Sequence, residues 1–68
     1  MEKQMSVKQA RLMAEKSQSE VANAMGMCLQ TYRKLESNPE KMTIAQVKLL
    51  CRAVAQPISA ISFGLDFN

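Results

Sequence analysis

The stretch Gly26–Ser37, GMCLQTYRKLES, holds the side chains best suited to chemistry with a partner. At about 100° per helical residue, counted from Cys28, Tyr32 falls at about 40° and Leu35 at about 340°. Leu29, Gln30, Arg33 and Lys34 fall between about 100° and about 240° on the same wheel. One face is therefore apolar and turns inward. The other carries an amide, two cations and a leucine. A glutamine amide is the fork that matches adenine N6 and N7, and a guanidinium or ammonium pairs with guanine O6 and N7. Leu29 suits a thymine methyl. Together the four form a face able to read base edges in a major groove, which is about 12 Å wide and admits one helix. On periodicity alone, an ordinary solvated helix face stands beside that reading.

Other chemistries find little support in the composition. The chain has 68 residues, no histidine and two cysteines, Cys28 and Cys51. A Ser-His or Cys-His catalytic pair is thus excluded, and so are the zinc spacings that need paired ligand clusters. Two glycines make no phosphate-cradling loop. The expectation is a protein without enzymatic activity, metal, cofactor or small-molecule ligand. One tyrosine and two phenylalanines are too few for a single-strand stacking platform. Apolar runs fall far short of the ~20 residues of a membrane span, and the charged first twenty residues do not resemble a signal peptide. Two cysteines are fewer than a secreted scaffold of this size usually carries, so a reducing cytoplasm is expected. The cysteines read as small buried hydrophobes, and Met13, Met25, Met27 and Met42 as gap-filling core. The net charge of +3 is modest and matters only where the bases gather.

The elements that must position the reading face follow from caps and periodicity. Ser6 with Gln9 forms a capping box for a first helix, whose stripe is Val7, Ala10, Leu12 and Ala14 and which should stop near Lys16. Ser17 with Glu20 opens a second helix with Val21, Ala22 and Met25 inward, closed by Gly26 in a left-handed conformation. The third helix spans about Leu29 to Ser37. Asn38-Pro39 breaks the chain, because proline disfavours helical geometry in the residue before it. Residues 38–42 read as a loop. Thr43 caps a fourth helix, from Ile44 to about Val54, with Ile44, Val47, Leu50, Cys51 and Val54 as its apolar stripe. A fifth helical turn, about Ser59 to Phe63, carries Ile58 and Ile61 inward. Phe63-Gly64-Leu65-Asp66-Phe67 alternates like a short C-terminal strand. Lys8, Lys16 and Lys48 read as solvated. The whole is one domain, 1–68, of which a chain this short buries only about 60% of its unfolded surface.

Two short helices joined by a glycine turn, the second with a polar outer face, describe a helix-turn-helix over about 17–37. Its second helix lies in the DNA major groove. From about residue 7 to 63, the chain also resembles the Cro and lambda-repressor-like helix-turn-helix family of the xenobiotic-response-element type. The matching residues are Ser17-Gln18, Gly26, Cys28 at the cap, Leu35-Glu36, and Met42-Thr43 before the fourth helix. Glu15 and Lys16 stand where the family has a glycine and an apolar residue, and Asn38 replaces its glycine after Glu36. The resemblance implies an all-α, five-helix fold with base contacts from Leu29, Gln30, Arg33 and Lys34. It implies phosphate contacts from Gln18, which also braces the recognition helix from the start of helix two, and from Thr31, Ser37 and Lys41, and a structural ion pair between Arg11 and Glu36.

The family is usually dimeric, reading palindromic DNA with half-sites about one helical turn apart. Phe63, Leu65 and Phe67 are the residues expected at a dimer contact, since an apolar patch of that kind marks an interface. Folding back over the helices is their alternative. The reading is a phage or mobile-element transcriptional repressor. Its rival is a protein-interaction module, such as the antitoxin half of a toxin pair, gripping its partner through the apolar tail.

Overall fold

Ser6, Ser17 and Thr43 each accept a hydrogen bond from the backbone N–H three residues on, while the glutamine or glutamate side chain at that position accepts one from the cap's own backbone N–H. These reciprocal boxes start three of the four α-helices in the computed structural model, which describes residues 4–63. The helices are α1 (Val7–Met13), α2 (Gln18–Ala24), α3 (Leu29–Ser37) and α4 (Ile44–Val54). Single 3-10 turns occupy Pro39–Lys41 and Ile58–Ala60. The five expected helices are thus four, because the fifth is one 3-10 turn, and a second such turn lies inside the expected 38–42 loop. No helix among the described residues is long and apolar enough to cross a membrane.

Helix ends follow one device three times. The N–H of Glu15 donates to Leu12 O and that of Lys16 to Arg11 O; Gly26 and Met27 repeat this on Asn23 and Ala22, and Ala55 and Gln56 on Arg52 and Cys51. This pattern closes a helix by turning one residue left-handed. Gly26 sits at φ 72°, Glu15 at 57° and Ala55 at 56°. Helix one therefore ends at Met13 rather than near Lys16. Glu15 makes the bend that a glycine would make without strain, since a side chain in this region costs ~1–2 kcal/mol.

The core gathers Val7 and Ala10 from α1, Val21 and Ala22 from α2, Tyr32 from α3, and Val47, Leu50 and Val54 from α4. Met25, Ile61 and Phe63 complete it from the connections. Helix α2 packs on both α3 and α4, and α4 also holds α1 and the Ile58–Ala60 turn. Met5 pairs with Ile61 in an isolated parallel bridge, with Met5 N–H donating to Ala60 O at 2.9 Å and Ser62 N–H to Met5 O at 2.8 Å. The C-terminal strand expected around residues 63–67 falls mostly outside the described residues, and the bridge at Ile61 is the pairing seen before it.

Several apolar residues expected inside are outside. Leu12, Met13, Ile44 and Ile58 are exposed. Cys28 is exposed and Cys51 half-buried, both as free thiols, so the reading of two buried hydrophobes fails for Cys28. Periodicity assigns a residue to a helix face, but burial requires a neighbour against that face. Among the described residues, the two 3-10 turns beside Ile44 and Ile58 border a cavity of about 340 Å³ lined by Met42, Ile44, Val47, Ile58, Ile61 and Phe63, among others.

Candidate functional site

Helix α3 is anchored by Tyr32, which is fully buried, with Leu35 half-buried beside it. That anchoring turns Gln30, Thr31, Arg33, Lys34 and Ser37 to the surface, and Lys41 is exposed on the turn that follows. Leu29 and Gln18 are partly covered. Gln18 stands at the first residue of α2, facing α3. The structure thus brings the expected base-facing residues to one helix surface, with Gln18 beside them.

The charge pattern of that surface depends on where one carboxylate goes. Glu36 is the only acid in α3, and it points inward. Its Oε2 accepts a 2.9 Å hydrogen bond from Arg11 Nε and a 2.5 Å bond from Tyr32 Oη, while its Oε1 accepts Gln18 Nε2 at 3.1 Å. The side chains of Arg11 and Glu36 are only 9% and 8% exposed, so this is a buried ion pair. Arg11 Nη1 also donates to Lys16 O at 2.9 Å, tying the bend after α1 to the same cluster. No buried side-chain polar atom among the described residues lacks a partner. With its carboxylate sequestered, the outward face of α3 carries no acid, only neutral polar groups, the partly covered Leu29 and the cations Arg33 and Lys34. The next acid along the chain, Glu40, is exposed on the following turn beside Lys41.

Burial alone would raise the Glu36 carboxyl; the hydrogen bonds from Arg11, Tyr32 and Gln18 outweigh it and hold the group below the ordinary carboxylate value. The Arg11 guanidinium is raised, chiefly through its bond to Glu36. Tyr32 is pushed far above the usual phenol value by burial and by the carboxylate it donates to, so it remains a donor. The trio is stable in one protonation state: cation, anion, neutral phenol.

The Arg11–Glu36 pair implied by the resemblance is present. Gln18 braces α3 through Glu36, in line with the resemblance; sequence reasoning missed the rest of the cluster, Tyr32 and the Lys16 carbonyl. A signal existed for the tyrosine, since Tyr32 and Glu36 stand four apart on a helix and a buried phenol needs a partner. A further contact was also missed: Arg33 Nε donates to Gln18 Oε1 at 3.2 Å.

At the start of α3, Cys28 occupies the cap position without a side-chain bond to the helix backbone. Its Sγ instead shares a 3.1 Å hydrogen bond with Thr31 Oγ1. That side chain, with the nearby backbone N–H groups, lowers the thiol below its ordinary value. Of the residues expected at a dimer contact, Phe63 is 8% exposed and packs in its own chain's core. Little of it remains to offer a partner. Leu65 and Phe67 lie outside the described residues. No family model, curated protein or solved structure matches the chain.

Proposed function

We propose that this chain is a sequence-specific regulator of transcription that binds double-stranded DNA, with α3 in the major groove. The observation that carries the reading is the outward face of α3: an amide and two cations exposed together, with the helix's one acid turned inward and neutralised by Arg11. Such a face meets both requirements of groove binding. Its cations favour phosphate-lined surfaces at no cost in local anionic repulsion, and Gln30, Arg33 and Lys34 supply donors and acceptors for base edges. Gln18, Thr31, Ser37 and Lys41 are the candidate phosphate contacts. The short α2, the Gly26 turn and the length of α3 agree with the helix-turn-helix reading, and with it the Cro and lambda-repressor-like resemblance. Within it the chain acts as a repressor of phage or mobile-element type, as a cytoplasmic homodimer on a two-fold operator.

Selection of the purified protein against a randomised duplex library, at fixed salt, tests the reading. A two-fold consensus is expected, and Gln30→Ala should cost ~1–3 kcal/mol and relax one base pair per half-site. Unchanged specificity in that variant rejects the assignment of Gln30. A second reading, a protein-interaction module such as an antitoxin, is favoured by the exposed Ile44 and Ile58 beside the apolar cavity. The two separate on whether the pure protein alone binds duplex DNA tightly.

A further inference from the structure

Beyond a phosphate contact and a general brace for the recognition helix, the hydrogen bonds of Gln18 give it a more specific task. Gln18 lies between two side chains of α3, donating from Nε2 to Glu36 Oε1 at 3.1 Å and accepting at Oε1 from Arg33 Nε at 3.2 Å. An amide can ordinarily be turned over, exchanging its oxygen and nitrogen. Here it cannot. A carboxylate only accepts and a guanidinium only donates. The reversed amide would set oxygen against oxygen and N–H against N–H. Both contacts would be lost and both replaced by repulsion.

The orientation of Gln18 is therefore imposed by Glu36, which is itself held from the far side by Arg11 and Tyr32. The order runs from the buried pair outward: Arg11 and Tyr32 fix Glu36, Glu36 fixes the Gln18 amide, and the amide oxygen fixes the Nε edge of Arg33. Arg33 is exposed, and an exposed arginine otherwise spends its time among many rotamers. Its Nε–H is taken by Gln18. What it presents outward is the Nη1 and Nη2 end of the fork, while the Nε side is not free to read.

We propose that Gln18 is a positioning residue for Arg33, selecting the end-on guanidinium geometry and so deciding preference at the one base pair that Arg33 reads. This rests on the DNA-binding reading, and deepens it: specificity at that position belongs to a pair of residues on two helices. Guanine, with acceptors at O6 and N7, is the base such a fork fits.

The test uses Gln18→Met, which keeps the length and packing of the side chain without the amide, alongside Gln18→Ala, Arg33→Ala and Gln18→Met/Arg33→Ala. Each is measured on the selected duplex and on a library varied one base pair at a time, with folding checked by thermal melt. Removing the amide restores rotamer freedom to one long side chain, so a loss of about 3- to 10-fold is expected, confined to the base pair that Arg33→Ala also relaxes. The double variant should be no weaker than Arg33→Ala. Equal losses on every duplex, additive with Arg33→Ala, would make Gln18 a phosphate contact and overturn the proposal.

A second readout needs no DNA. In the free protein the Arg33 Nε–H resonance should exchange slowly with water, and faster in Gln18→Met, with the Arg11 Nε–H unchanged in both. An Arg33 signal indifferent to Gln18 sinks the relay alone. A wild-type chain that binds no duplex in the library sinks the proposed function, and the specificity role with it, even where the Nε–H measurement still finds the contact.

Discussion

Removing the guanidinium from the buried cluster is the most informative single change. Arg11→Met keeps most of the aliphatic stem that packs in α1 but deletes the bonds to Glu36 at 2.9 and 3.5 Å and the bond to Lys16 O. Glu36, with its side chain 8% exposed, would then hold a charge against only Tyr32 and Gln18. Breaking one partner out of a buried pair costs about 3–5 kcal/mol. Two surviving donors place this case near the lower end, about 3 kcal/mol. For a domain of this size each kcal/mol moves the midpoint by about 4–8 °C, so the helical signal should melt roughly 12–24 °C earlier. Total stability at this length is of order 3–10 kcal/mol, which leaves a folded fraction to measure.

The pH dependence gives that experiment its second arm. In the wild type the Glu36 carboxyl is lowered in the folded state. Its contribution is therefore present above the unfolded value of about 4.3 and lost as pH falls through the folded value. In Arg11→Met burial is no longer outweighed, so the folded carboxyl rises above its unfolded value and protonation favours folding. The stability gap between the two proteins should narrow as pH falls from about 7 toward about 4. Arg11→Met/Glu36→Gln should recover most of the loss at neutral pH, since no unpaired buried charge remains. A deficit below about 1 kcal/mol, as an exposed pair would give, or a gap that does not close with acid, would refute the reasoning.

Other perturbations address the helix ends and the surface. Cys28→Ser should raise stability by about 1 kcal/mol in urea titration, because α3 alone among the four helices begins without a side-chain cap. Glu15→Gly should add roughly 0.5–1 kcal/mol by relieving a φ of 57°. Gly26→Ala should cost about 1 kcal/mol from backbone strain alone, since a Cβ there would meet nothing within 4 Å; thermal melts measure both. Lys41→Ala should weaken binding to all duplexes alike and lower the salt slope by about one; a loss confined to one operator would make it a base reader.

Much of the local architecture is legible in the chain because it arises from contacts three or four residues apart. Ser17 finds Glu20 and Thr43 finds Gln46 wherever the rest of the protein lies. Gly26 turns left-handed because it alone of the residues nearby does so without steric cost. The inward side of α3 follows from the alternation of Tyr32 and Leu35 with polar neighbours, and the outward exposure of Gln30, Arg33 and Lys34 follows from that.

What resisted reading involves partners distant in sequence. Glu15 in a left-handed bend contradicts its own preference, and is held there by α1 and α2 docking on α4. Leu12, Ile44 and Ile58 sit on apolar faces, yet no element among the described residues covers them, because amphipathicity defines a face and only packing buries it. The expected pairing of Arg11 with Glu36 rested on resemblance, not on anything local. It joins residues 25 positions apart, and the cluster around it, which orients Gln18 and through it Arg33, forms only when α1, α2 and α3 meet. Short-range hydrogen bonds and periodicity thus set the helices and their outward side chains. The direction in which those side chains are held is a property of the assembled buried charges, whose energies depend on being taken out of water together.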